Sequence, residues 1–177
     1  MSTPKPPKPA KLIIGLFTSQ KELFQIITSE LSQKFGAIDM VSKCFPFNYT
    51  NYYEEEIGSD LLRRMLLFKD LIAQNSLPEI KCTTNTIEKK YSKDGKRKIN
   101  IDPGYLIHER FVLATGKNYS HRIYLDKGIY ADLTLIYQKN SYVSLPWTYP
   151  DYKEDIMINF LEEARNKYKF DLQEKNL

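Results

Sequence analysis

The residues best suited to chemistry in this 177-residue chain are oxygen-bearing side chains and one arginine: Glu88, Asn100, Asp102, Arg122 and Asp132. Carboxylates and a carboxamide suit Mg²⁺, a hard cation that prefers oxygen ligands and water, while a guanidinium grips phosphate through a two-pronged fork. The set therefore fits a nucleotide or another phosphate-bearing small ligand, with Glu88 and Asp102 the pair able to share a metal ion. Other chemistries find little support. A P-loop needs two glycines with four residues between them and then Lys-Ser/Thr; ahead of Gly116-Lys117 the first glycine position holds Phe111, and Asn118 follows the lysine. The guanine-reading Asn-Lys-x-Asp is also missing, because Asn166-Lys167-Tyr168 is followed by Lys169. His108 and His121 lie in His-Glu-Arg and His-Arg-Ile tripeptides, neither of them the His-x-Ser/Thr of a two-histidine phosphoesterase. Cys44 and Cys82 have no zinc-ligand spacing and read as small core hydrophobes. No residue stands out as catalytic.

Two hairpins are expected to place the five residues. In Ser120 to Tyr137 the turn Asp126-Lys127-Gly128 allows two registers. A two-residue loop would mix Arg122 and Asp126 with Ile129 and Leu133 on one face. A three-residue loop with Gly128 in the left-handed position instead aligns Ile123 and Leu125 with Ile129, Ala131, Leu133 and Leu135. It sets Arg122 opposite Asp132 and Tyr124 opposite Tyr130, and puts His121 on the face of Ile123 as a structural histidine. The same reasoning over residues 86 to 102, turning at Lys93-Asp94-Gly95, pairs Ile87 with Ile101 and Tyr91 with Arg97. It collects Thr86, Glu88, Asn100 and Asp102 on the other face, although an Asp-Gly two-residue turn is also a strong hairpin signal.

Around these hairpins the pattern gives an α+β fold: a single domain, with a mixed but largely antiparallel sheet of five to seven strands, two packed helices and a C-terminal helix. Lys11 to Phe17 reads as a strand. Thr18 and Ser19 are candidate caps for a helix to residue 35 that carries Leu23, Ile26, Ile27, Leu31 and Phe35 and stops at Gly36. Residues 38 to 48 read as a strand broken at Pro46. Ile57, Leu61, Met65, Phe68 and Ile72 form a stripe that predicts a second helix over 57 to 73. Residues 79 to 145, rich in β-branched and aromatic side chains, predict strands. The last helix, 152 to 170, is expected to start at a capping-box pair, Asp151 and Glu154. The domain divides into a disordered Pro/Lys tail (1 to 10), a folded body (11 to 170) and a frayed C-terminus (171 to 177).

The ordered motifs TTNTIE (83 to 88), NIDPGY (100 to 105), LATGK (113 to 117), SHRIYL (120 to 125), GIYADLTL (128 to 135) and WTYPDY (147 to 152) carry a resemblance. From about Pro9 to Tyr152 the chain resembles an uncharacterised bacterial family catalogued as a domain of unknown function. Members of that family are often labelled GTP-binding protein, so the resemblance implies nucleotide binding through that label. Gly116 stands where the family commonly has Thr, and Asp132 where it has Glu.

Composition narrows the classes further. Aromatic residues make up 13% of the chain, too many for a disordered one, and no apolar run reaches the length of a membrane span. Two cysteines and no secretory leader point to a cytoplasmic protein, with no membrane partner. The net charge of +4 is uneven: residues 1 to 11 contribute +3 and residues 89 to 98 contribute +5, leaving the body mildly acidic. That distribution argues against a nucleic-acid-binding face. It does leave an alternative to the small-ligand reading, a non-enzymatic adaptor holding RNA or a protein partner. Such an adaptor would use the basic 89 to 98 tip and the aromatic segments FPFNYTNYY (45 to 53) and LPWTYPDY (145 to 152), which otherwise serve core packing.

Overall fold

A computed structural model describes residues 1 to 177. The elements run β1 (Ala10–Thr18), α1 (Lys21–Phe35), β2 (Ile38–Val41), β3 (Phe45–Pro46), α2 (Glu54–Ile57), β4 (Leu62–Ile72), α3 (Leu77–Lys90), β5 (Asn100–Leu106), β6 (Arg110–Thr115), β7 (Arg122–Asp126), β8 (Ile129–Gln138), β9 (Ser141–Ser144) and α4 (Asp155–Glu174). Nine strands form one sheet in the order β2-β4-β1-β5-β6-β8-β7, with β3 also on β4 and β9 on β8. Every ladder is antiparallel. The chain is thus the single α+β domain that its pattern predicts. No helix is long and apolar enough to cross a membrane.

Strand alternation builds two cores. On β1, Leu12, Ile14 and Leu16 pack with Phe24, Ile27 and Leu31 of α1 and with Ile80 and Ile87 of α3. Across the sheet Ile13, Met65, Leu67, Phe111 and Leu135 pack with Met157, Leu161, Ala164 and Tyr168 of α4. The sheet is therefore covered on both faces. A third, smaller cluster of Phe17, Phe47, Ile57 and Leu61 lies apart from both, under the segment joining β3 to β4.

Two expectations fail here. Residues 62 to 72 form a strand, not a helix, and Met65, Leu66, Leu67 and Phe68 are all buried. A central strand covered on both faces is apolar on consecutive positions, so its period-2 signal vanishes and chance spacing imitates a helix. Conversely, residues 77 to 90 form α3, not a strand. Its buried face of Ile80, Lys81, Thr84, Ile87 and Glu88 has helical spacing, and Pro78 sits at the helix start. The hairpin over 86 to 102 and its pairs Ile87 with Ile101 and Tyr91 with Arg97 do not form. Asp94 and Gly95, both at positive φ, close a two-residue turn between Lys93 and Lys96, the Asp-Gly alternative.

Smaller corrections follow from local chemistry. The predicted strand over 38 to 48 is two short strands, β2 and β3. The Thr18 hydroxyl accepts from the Gln20 N–H, but Gln20 occupies the cap position of α1. Glu154 caps α4 without a side-chain bond, and Asp151 turns inward instead. Helix α4 continues to Glu174, with Asp171 and Leu172 buried. Cys44 is exposed and Cys82 half-buried. Ile123 and Leu125 are exposed on β7, an edge strand beyond the reach of either core.

Candidate functional site

The strand ends of β1, β4, β5 and β6 meet at one end of the sheet, because antiparallel pairing aligns Thr18 with Leu62 and Phe17 with Asn100. There the segment between β3 and β4, the β6–β7 loop and the lead-in to α4 enclose a cleft of about 690 Å³. Its wall is aromatic, with Phe47, Tyr49, Tyr52 and Tyr53 from one side and Tyr149 and Tyr152 from another. Phe47 stacks on Phe17 at 4.5 Å between ring centroids, and Tyr53 meets Phe17 edge-on at 4.8 Å. Both aromatic segments noted in the sequence, 45 to 53 and 145 to 152, contribute to this one cleft.

The floor is polar, and Glu88, Asn100, Asp102 and Asp132 all line it. Glu88 arrives from α3 rather than from a strand. One of its oxygens accepts the Ile101 N–H at 2.6 Å and the other accepts from Arg97 at 3.3 Å. Burial pushes the Glu88 carboxyl above the usual carboxylate range, with the Lys81 ammonium and the Ile101 N–H opposing that rise. Asn100 is buried, and its Oδ1 accepts from Arg97 at 2.9 Å. Asp102 differs: it takes part in ion pairs with Lys81 at 3.8 Å and Arg63 at 3.9 Å, beyond hydrogen-bond reach, and its side chain is 28% exposed.

Arg122 stands just behind the wall. The register expected for its hairpin holds away from the turn: Arg122 faces Asp132 and Tyr124 faces Tyr130. The turn itself is a two-residue loop, with Lys127 and Gly128 at positive φ and a bulge between Tyr124 and Asp126 that restores this register. Arg122 donates to Asp132 at 2.9 Å, to the Lys117 carbonyl at 3.0 Å and to the Tyr149 hydroxyl at 2.7 Å. It therefore fixes two lining side chains rather than facing the cleft. His121 lies 3.2 Å from Asp132 and stacks on Trp147 at 4.7 Å, a structural placement.

Several cleft residues escaped the sequence reading. Arg63 is buried between the rings of Phe17, Phe47 and Tyr152, bonded to Asp151 and to the Tyr152 hydroxyl. Burial raises the Asp151 carboxyl, and the neighbouring Arg63 charge opposes it. A Cβ on Gly15 would come within 2.9 Å of the Arg63 guanidinium, so that mid-strand glycine makes room for it. A glycine inside an apolar strand, and paired arginines inside an apolar run, are the signals that were present. Lys81, Asn85 and Glu88 share helical spacing and become visible once α3 is recognised as a helix. Arg97 forks onto Glu56 at 2.6 and 2.7 Å, which holds Glu56 below the usual carboxylate range and ties α2 to the floor. Burial, aided by the Asp102 charge, pushes the Tyr53 hydroxyl up to about 12.

The arrangement presents aromatic faces beside a floor of hydrogen-bond donors and acceptors. Glu88 and Asp102, the pair suggested for a metal, each lie against cationic side chains, and no group of three or more His, Cys, Asp or Glu side chains is placed to hold a metal ion. The family described as a domain of unknown function, DUF4416, matches residues 8 to 168. No match was found among curated proteins or among solved structures.

Proposed function

The chain belongs to the DUF4416 family, and we propose that its cleft binds a ring-bearing, hydroxylated small molecule, with a nucleotide the leading ligand. One observation carries this reading. Asp102 is a carboxyl acceptor at the floor of an aromatic-walled cleft, flanked by two cations and lacking a hydrogen-bond partner of its own. Buried and half-buried polar groups are normally paired, so an unspent carboxylate beside aromatic faces is suited to a ligand hydroxyl or N–H. The aromatic wall can stack a base, and Asn100 offers a side-chain amide beside Asp102. The label carried by the family that the sequence resembles makes guanine nucleotides the first to test.

The adaptor reading is weaker on the same ground. Arg97, one of the cations of the basic tip, is bonded to Glu56 and Asn100 and is only partly exposed.

The test is a melting-temperature screen of nucleosides and nucleotides with and without Mg²⁺, repeated on Asp102→Asn. A ligand at a hundredfold excess over Kd stabilises the fold by about 2.7 kcal/mol, a shift of several degrees for a domain of this size. The expected result is such a shift in the wild type and its loss in the variant. No shift with any of these ligands, or an equal shift in the variant, would refute the reading.

A further inference from the structure

We infer that the cleft selects a ligand of low charge, a nucleoside or nucleoside monophosphate, and discriminates against triphosphates. The inference rests on the nucleotide reading above and specifies its ligand class. The lining carries four cationic and four carboxylate side chains, so it has no net charge to offer an anion. Three of the cations are also already engaged. Arg63 is bonded to Asp151 and Tyr152, and Arg97 is forked onto Glu56. Lys81 donates to the Ile101 carbonyl at 2.8 Å and sits against Asp102.

Lys117 is the exception. It stands exposed on the β6–β7 loop, its ammonium 5.1 Å from the Tyr52 ring across the mouth, with no carboxylate paired to it. A phosphate can be met there by one point charge, while the floor behind it repels phosphate through Asp102. Geometry then orders the ligand: ring and hydroxyls inside, phosphate at the mouth. A triphosphate adds negative charges that find no further free cation in the lining. Of the carboxylates that could hold its Mg²⁺ on the protein, Glu88 and Asp132 are hydrogen-bonded to cationic side chains, and Asp102 already lies against Lys81 and Arg63.

Isothermal titration at low ionic strength compares guanosine, GMP and GTP, and the adenine series, each with and without Mg²⁺. In the series that binds, the triphosphate is expected to bind at least about tenfold more weakly than the monophosphate. Lys117→Ala should weaken the monophosphate about fivefold and leave the nucleoside unchanged, while Lys117→Arg should keep monophosphate affinity. A triphosphate that binds more tightly than its monophosphate would overturn this inference and leave the nucleotide reading standing. So would an equal effect of Lys117→Ala on nucleoside and monophosphate. If none of the six ligands binds, the nucleotide reading itself falls, and this inference falls with it.

Discussion

Lys11 and Asp102 are both charged side chains held among opposite charges, and they are built to opposite ends. Lys11, on β1, is fully buried and spends all three of its N–H donors, on Asp171, on Asp39 at 3.3 Å and on the Lys69 carbonyl at 2.8 Å. It ties the sheet to α4. Asp102, on β5, stands 3.8 and 3.9 Å from Lys81 and Arg63 and spends none of its acceptor capacity on a hydrogen bond. A saturated charge cluster has no capacity left for a ligand. An unsaturated one leaves its lone pairs free.

Lys11 carries the largest expected effect. Lys11→Met leaves Asp39 and Asp171 with only the part-exposed Lys167, 3.5 and 3.6 Å from them, and the expected loss is about 3 kcal/mol, or about 10 °C in melting temperature. A loss below ~1 kcal/mol by denaturant titration would mean that the cluster does not hold α4 in place.

Asp102→Asn sharpens the contrast from the other side. Removing that charge should change stability by less than about 0.5 kcal/mol while weakening the ligand found in the screen by more than about tenfold. A variant that melts much lower would make Asp102 a structural residue like Lys11.

Glu56 lies between these cases, since its fork onto Arg97 holds α2 and the adjoining aromatic segment against the floor. Its carboxyl is lowered in the folded state by the Arg97 hydrogen bonds. The stability it contributes is therefore complete above its unfolded pKa and is lost as pH falls through the lower folded one. With both side chains partly exposed the contribution is about 1 kcal/mol. Melting curves of Glu56→Gln should run below wild type at neutral pH and converge with it under acid. Parallel curves at every pH would remove the fork from the account.

The smallest effect belongs to the N-terminal tail. Residues 1 to 8 are exposed, and contacts begin with Lys8, whose carbonyl accepts from Gln74. Deleting residues 2 to 7 should move the melting temperature by less than about 2 °C. A larger fall would give the tail a share in the Lys11 region.

Sequence alone determined the parts in which local chemistry and burial agree. KLIIGLF is a strand, residues 21 to 35 a helix ending at Gly36, and Arg122 faces Asp132, although a two-residue turn with a bulge sets that register. It also singled out Glu88, Asn100, Asp102 and Asp132, all of which line the cleft. The tertiary structure alone decided which partners those residues meet. Glu88 reaches the Ile101 N–H, between Asn100 and Asp102, from a helix packed on β5 and not across a hairpin, a distinction that depends on where the rest of the chain buries Ile80, Thr84 and Ile87. Arg63 becomes a cleft residue because β4 is covered on both faces, and Lys117 the unpaired cation because two distant loops meet at the mouth. Periodicity reports which side of an element is apolar; it carries no record of what lies opposite, and that is fixed only when the whole core closes.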